Sequence, residues 1–134
     1  MGLQWSNDLS TGIIPIDDQH KEIIRRVNAF LAAMEAGKGK MKVVELMEFL
    51  SRYIVQHFHD EEFFMANERY DEFKAHKEQH MQFIKDFHAM EKEFETHGIT
   101  TDLVIQTQQK VCDWLANHIS KEDRKIVQFI KNNQ

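Results

Sequence analysis

Cysteine, proline and glycine are all scarce in this chain of 134 residues. Cys112 stands alone, so no internal disulfide can form and a reducing, cytoplasmic setting is the expectation. Pro15 is the sole proline, and the five glycines, at 2, 12, 37, 39 and 98, mark the ends of long segments rather than their interiors. Lys and Arg total 17 against 22 Asp and Glu, a net charge of -5 with no dense basic run, which argues against nucleic acid as a partner. No apolar run approaches the ~18 residues of a membrane span. The opening "MGLQWSNDLSTG" lacks a basic stretch followed by an apolar one, so no secretory leader is expected. Strand-like alternation and Asn-Gly hairpin signals are missing as well. What remains is a globular balance, 42% hydrophobic and 29% charged, sized for one domain over residues 1–134.

Residues 1–16 show no helical period. They read as a non-helical arm whose Trp5, Leu9, Ile13, Ile14 and Ile16 pack on the body. Four periodic segments follow. The first, about 17–36, carries Ile23, Ile24, Val27, Phe30, Leu31 and Met34 on one face, with Gly37 at its stop. The second, about 41–67, carries Val43, Leu46, Met47, Leu50 and Ile54. The third, about 70–97, carries Phe73, Phe83, Ile84, Phe87 and Phe94, with Gly98 as its C-cap candidate. The fourth starts near Thr101 and carries Val104, Val111, Leu115, Ile119 and Ile126. Long amphipathic helices joined by short turns predict an all-α fold, an antiparallel up-down-up-down four-helix bundle.

Histidines continue the apolar stripes. His20 precedes Ile23, Ile24 and Val27 at i+3, i+4 and i+7, so it faces inward. The stripe Leu50, Ile54 runs on to His57 and Glu61; Phe73 leads to His76 and His80; Val111 and Leu115 lead to His118. Residues four apart lie one above the other on a helix, so His57 and Glu61 can reach one centre, and so can His76 and His80. A lone inward histidine is usually an ordinary core or edge residue. Four helices turning polar at one level is another matter, because unpartnered buried imidazoles and carboxylates cost several kcal/mol. A metal centre in the bundle core makes those choices favourable together.

The donor types narrow the metal. A structural zinc takes about four ligands, often thiolates, and Cys112 is remote from this set. Calcium and magnesium prefer oxygen. Imidazole mixed with carboxylate suits iron, and the number of donors suits two. The ferritin-like di-iron pattern needs Glu three residues before a ligand histidine, and none of the eight histidines has it.

Trp5, "GIIPIDDQH" ending at His20, "HFHDEEFFM" from His57, "HKEQH" from His76 and "WLANHISKED" from Trp114 occur in order along nearly the whole chain. In this the chain resembles the bacterial hemerythrins. The resemblance implies one iron held by His76, His80 and His118, and another by His20 and His57. Glu61 and Asp123 would bridge the two, together with an oxo or hydroxo group. Three imidazoles and three bridges saturate the first iron, whereas the second keeps one position open for a small molecule. Two ferrous charges of +4 against two carboxylates and a hydroxide leave +1. A site so rich in histidine and poor in carboxylate is expected to stop at reversible dioxygen binding, for storage, delivery or sensing, and to have no catalytic residues. The alternative is a di-iron redox enzyme acting on peroxide or nitric oxide. The partners expected are dioxygen and an oxygen-consuming enzyme or a reductase.

The open position calls for a tight apolar surround. Trp114, Leu115 and Ile119 stand around His118 as in the family's oxygen pocket, with Phe58 and Met65 as further wall candidates. His59, His88 and His97 fall off the inward faces, and Glu62 and Glu122 read as surface carboxylates. The family often has Pro after the tyrosine that opens the third helix, where this chain has Asp71. His118 and Asp123 are five apart, ~140° round a regular α-helix, so the resemblance requires a local π-type turn there.

Overall fold

The computed structural model describes residues 3–132. After a short 3-10 turn at Asn7–Leu9, helix α1 spans Ile14–Glu35, α2 spans Gly39–Asn67 and α3 spans Phe73–His97. A fourth helix, α4, runs over 101–132 without a break in helical backbone. It consists of α-helical Thr101–Gln106, π-helical Thr107–Cys112, α-helical Asp113–Asn117, π-helical His118–Glu122 and α-helical Asp123–Asn132. No strand occurs among the described residues, and the four helices pack as an all-α four-helix bundle.

The arm is shorter than the sequence suggests, and not wholly irregular. Its first two residues lie outside the described region. Helix α1 begins three residues earlier than expected because Pro15 sits in its first turn, where a missing N–H costs nothing and the fixed φ is already helical. Asp17 then ties the arm down, accepting from Thr11 N and Thr11 Oγ1 at 2.8 Å each and from Ser10 Oγ at 2.8 Å. Leu9 and Ile16 are buried and Trp5 packs against the core, whereas Ile14 is exposed.

Helix ends follow local chemistry. At the end of α1, Gly37 takes φ 75°, with Gly37 N donating to Met34 O and Lys38 N to Ala33 O, a Schellman closure. The same closure ends α2, where Arg69 takes the left-handed position at φ 54°, Arg69 N donates to Ala66 O and Tyr70 N to Met65 O. That turn moves the start of α3 from the expected Tyr70 to Phe73, and Asp71 is an exposed turn residue. Thr100 caps α4, its hydroxyl accepting from Leu103 N at 3.0 Å.

Two apolar clusters result. The larger contains Ile23, Phe30, Leu50, Phe58, Phe83, Leu103 and Leu115. The smaller contains Met65, Tyr70 and Ile126, with Phe73 and Phe129 packed against it. Both draw on α2 and α4, whose inward faces turn polar between the residues they give to each.

Candidate metal centre

Seven buried polar side chains form that polar layer: His20 from α1, His57 and Glu61 from α2, His76 and His80 from α3, His118 and Asp123 from α4, each at most 4% exposed. They form two overlapping groups of donor atoms. Glu61, His76, His80, His118 and Asp123 make one; His20, His57, Glu61 and Asp123 make the other. Each carboxylate divides its oxygens between the groups. Glu61 Oε1 lies 2.9 Å from His76 Nε2 and 3.1 Å from His80 Nε2, while Oε2 lies 3.2 Å from His20 Nε2 and 3.4 Å from His57 Nε2. Asp123 Oδ1 lies 3.1 Å from His76 Nε2 and 3.3 Å from His118 Nε2, and Oδ2 lies 3.1 Å from His20 Nε2.

Helix α4 reaches this layer only through its π turns. Leu103, Thr107, Val111, Leu115, Ile119 and Asp123 are all buried at a constant spacing of four. Over that span a regular α-helix, at ~100° per residue, would overshoot five turns by ~200°. Each π turn absorbs one extra residue, so two of them cancel the drift. The second, His118–Glu122, is the turn the sequence calls for. The first, Thr107–Cys112, escaped the sequence reading, although the unbroken run of fours was its signal. Glu122 points away from the layer and pairs with Lys125 at 3.3 Å.

The donor set fits cations better than it fits itself. Donors ~2.1 Å from one octahedral ion sit ~3 Å apart at adjacent positions and ~4 Å apart at opposite ones. His118 Nε2 lies 3.1 Å from both His76 Nε2 and His80 Nε2, and 3.9 Å from Glu61 Oε1. Both Asp123 oxygens are buried without a hydrogen-bond partner despite three imidazoles within 3.3 Å. Burial keeps the His57 imidazole below its ordinary pKa and hence neutral. Its Nδ1–H donates to Gln19 Oε1 at 2.8 Å, so its Nε2 turns a lone pair toward Glu61 Oε2. Two lone pairs facing each other in a dry core repel unless a cation lies between them.

Without metal, protons take the cations' place. Burial alone would lower the His20 pKa, but the Asp123 and Glu61 carboxylates facing its Nε2 outweigh burial and raise it to about 10; the same balance raises His76 to about 9. Burial pushes Glu61 and Asp123 up, and the surrounding imidazoles hold both well below the usual carboxylate range. Cys112, by contrast, is pushed up to about 12 by burial and is an inert thiol.

Of the wall candidates, Phe58 stacks on His80 with ring centroids 3.9 Å apart, and Trp114 stacks on His118 at 4.5 Å. Leu115 and Ile119 face Ile23 and Ile24 across an apolar cleft between α1 and α4. Met65 does not join them. It lies one turn beyond Glu61, in the smaller cluster with Tyr70 and Ile126. His59 and His97 are exposed, and exposed His88 bonds Glu91 at 2.9 Å. Two participants escaped the sequence reading. Gln19 accepts from His57, and Glu62, expected at the surface, accepts from His80 Nδ1 at 2.8 Å. Helical period fixes faces, and no signal in it shows where a flanking side chain turns.

A helical bundle whose core holds two carboxylates shared between three-histidine and two-histidine groups defines a carboxylate-bridged two-metal protein of a histidine-rich kind. The family model for the hemerythrin HHE cation binding domain matches residues 11–130, and the chain belongs to the hemerythrin family. It is 32% identical to a bacteriohemerythrin of Pseudomonas paraeruginosa over 130 residues, 97% of this chain and 82% of that one. It is 32% identical to a bacteriohemerythrin of Methylococcus capsulatus over 117 residues, 87% of each chain. It is 23% identical to a myohemerythrin of Theromyzon tessulatum over 122 residues, 91% of this chain and 88% of that one. Membership implies a di-iron, oxygen-binding domain. No helix among the described residues is long and apolar enough to cross a membrane.

Proposed function

We propose that this chain binds dioxygen reversibly at an iron pair, with His76, His80 and His118 on one iron, His20 and His57 on the other, and Glu61 and Asp123 bridging them. The observation that carries this reading is the division of both carboxylates between the two histidine groups, Glu61 Oε1 toward three imidazoles and Oε2 toward two. When bound, the pair would supply redox electrons, and the iron held by His20 and His57 would have fewer protein donors than the one held by His76, His80 and His118.

The chain's own residues set the outcome. Glu61 and Asp123 fix the spacing of the two groups because each is held from opposite sides. Phe58 and Trp114 clamp His80 and His118 face to face, so those imidazoles cannot swing away. Leu115 and Ile119, each 2% exposed, keep the layer dry. Dryness favours release of dioxygen as dioxygen, since escape of a reduced product requires water and protons. Trp114, Leu115, Ile119 and Phe58 form the pocket wall, and Met65 supports the layer from the other side. The role extends to storage or delivery of oxygen, with a reductase or an oxygen-consuming enzyme as partner.

Repeated cycling between argon and air, followed in the visible spectrum, tests this. A charge-transfer band that rises with oxygen and vanishes under argon over many cycles is the expected result. A band lost after one exposure, or catalytic consumption of peroxide or nitric oxide, would replace binding with redox turnover.

A further inference from the structure

The residues on either side of Glu61 serve opposite halves of the layer. At ~100° per residue, Asp60 and Glu62 fall on the two flanks of α2, one beside α1 and the other beside α3. On the α3 side, Glu62 accepts directly from His80 Nδ1 at 2.8 Å. On the α1 side, the amide of Gln19 stands between: His57 Nδ1–H donates to Gln19 Oε1 at 2.8 Å, and Gln19 Nε2 donates to Asp60 Oδ2 at 2.8 Å. Asp60 is itself held from the far side by Gln56 Nε2 at 2.7 Å. His20 Nδ1 has no partner at all. At the ring nitrogen turned away from the carboxylates, His80 of the three-histidine group therefore meets a charged acceptor and His57 of the other group a neutral amide, while His76 Nδ1 and His20 Nδ1 have no hydrogen-bond partner.

A carboxylate behind an imidazole raises the basicity of its ligating nitrogen, and a hydrogen bond to a charged acceptor is about twice as strong as one to a neutral amide. Resting on the ligand assignment above, we propose that Glu62 and Gln19 are positioning residues that polarise the iron pair. Glu62 passes negative charge through His80 to the saturated iron, and Gln19 withholds it from His57. The iron with the open position is left the poorer in electrons and the stronger Lewis acid, so an incoming ligand meets an electron-poor centre backed by an electron-rich one. Glu62 is well placed for this, its side chain 19% exposed while His80 is wholly buried, so its charge keeps contact with water as it enters the layer.

The test is the reduction potential of the iron-loaded protein, measured by dye-coupled titration under argon for the wild type, Glu62→Gln and Gln19→Glu. Iron counts and ferrous affinity of the metal-free chains are measured in parallel. Glu62→Gln keeps an acceptor but removes its charge, so the potential is expected to rise and ferrous affinity to fall about 10–100-fold. Gln19→Glu places charge behind His57 and is expected to lower the potential. Shifts of opposite sign establish the inference. If Glu62→Gln fails to retain two irons, the direction of the Gln19→Glu shift alone decides. Unchanged potentials, or shifts of the same sign, overturn it while leaving the ligand assignment intact. A wild-type chain that takes up no iron pair overturns the assignment and this inference with it.

Discussion

At the scale of single residues, the layer behaves as a set of protons waiting to be replaced. In the metal-free chain His20 is raised from 6.5 to about 10 and His76 to about 9. A raised pKa in the folded state contributes stability that is complete below the unfolded value near 6.5 and is lost as pH climbs through about 9 and 10. Glu61 and Asp123 are depressed, so their contribution is present above the ordinary carboxylate range and lost as pH falls below it. The metal-free chain should therefore melt highest between about pH 4.5 and 6.5. Iron displaces these protons, so the gap in melting temperature between loaded and metal-free protein should widen from about pH 5 to about pH 9. Paired melts across that range check it, and a constant gap would contradict it. Asp123→Ala should abolish binding of the iron pair, whereas Glu122→Ala should leave two irons per chain, as measured by iron assay. The reach of the sequence ended at the second sphere. His20, His57, Glu61, His76, His80 and His118 declare their faces by spacing, but Gln19 and Glu62 act through side-chain torsions that no periodicity encodes.

At the scale of elements, the four helices were legible because three of them keep an ordinary helical period, and their ends carry Gly37, Gly98 and Thr100. The end of α2 was less so, because Arg69 fills a left-handed position usually marked by glycine. Arg69→Gly should stabilise the chain by about 0.5–1 kcal/mol, readable in denaturant midpoints. The sharper test lies in α4. Its two π turns hold Leu103 and Asp123 on one face. Deleting exposed Gln109 removes the first extra residue without touching the core. The helix then closes as a regular α-helix there, and His118 and Asp123 stay on the face of the layer because the residue lost is the one the π turn absorbs. Helical content by circular dichroism and the count of two irons per chain should both persist. A deletion variant that loses its irons would show that the first π turn is not a single absorbed residue.

At the scale of the molecule, the layer cuts through the inward faces of all four helices. Phe30, fully buried in the larger cluster, anchors the part remote from the metal, and Phe30→Ala should cost about 3–5 kcal/mol in loaded and metal-free protein alike. Iron adds stability of a different origin. It joins groups from all four helices, so its binding energy appears as folding energy and should reach about 4 kcal/mol at a thousandfold excess over its dissociation constant. The central claim is that two irons lie side by side with three histidines on one, two on the other, and Glu61 and Asp123 between them. Anomalous diffraction at the iron edge from crystals of the loaded protein tests it most directly. Two peaks should appear, one bounded by His76, His80 and His118 and the other beside His20 and His57. A single peak, or a pair bound by Glu122 in place of Asp123, would contradict the account.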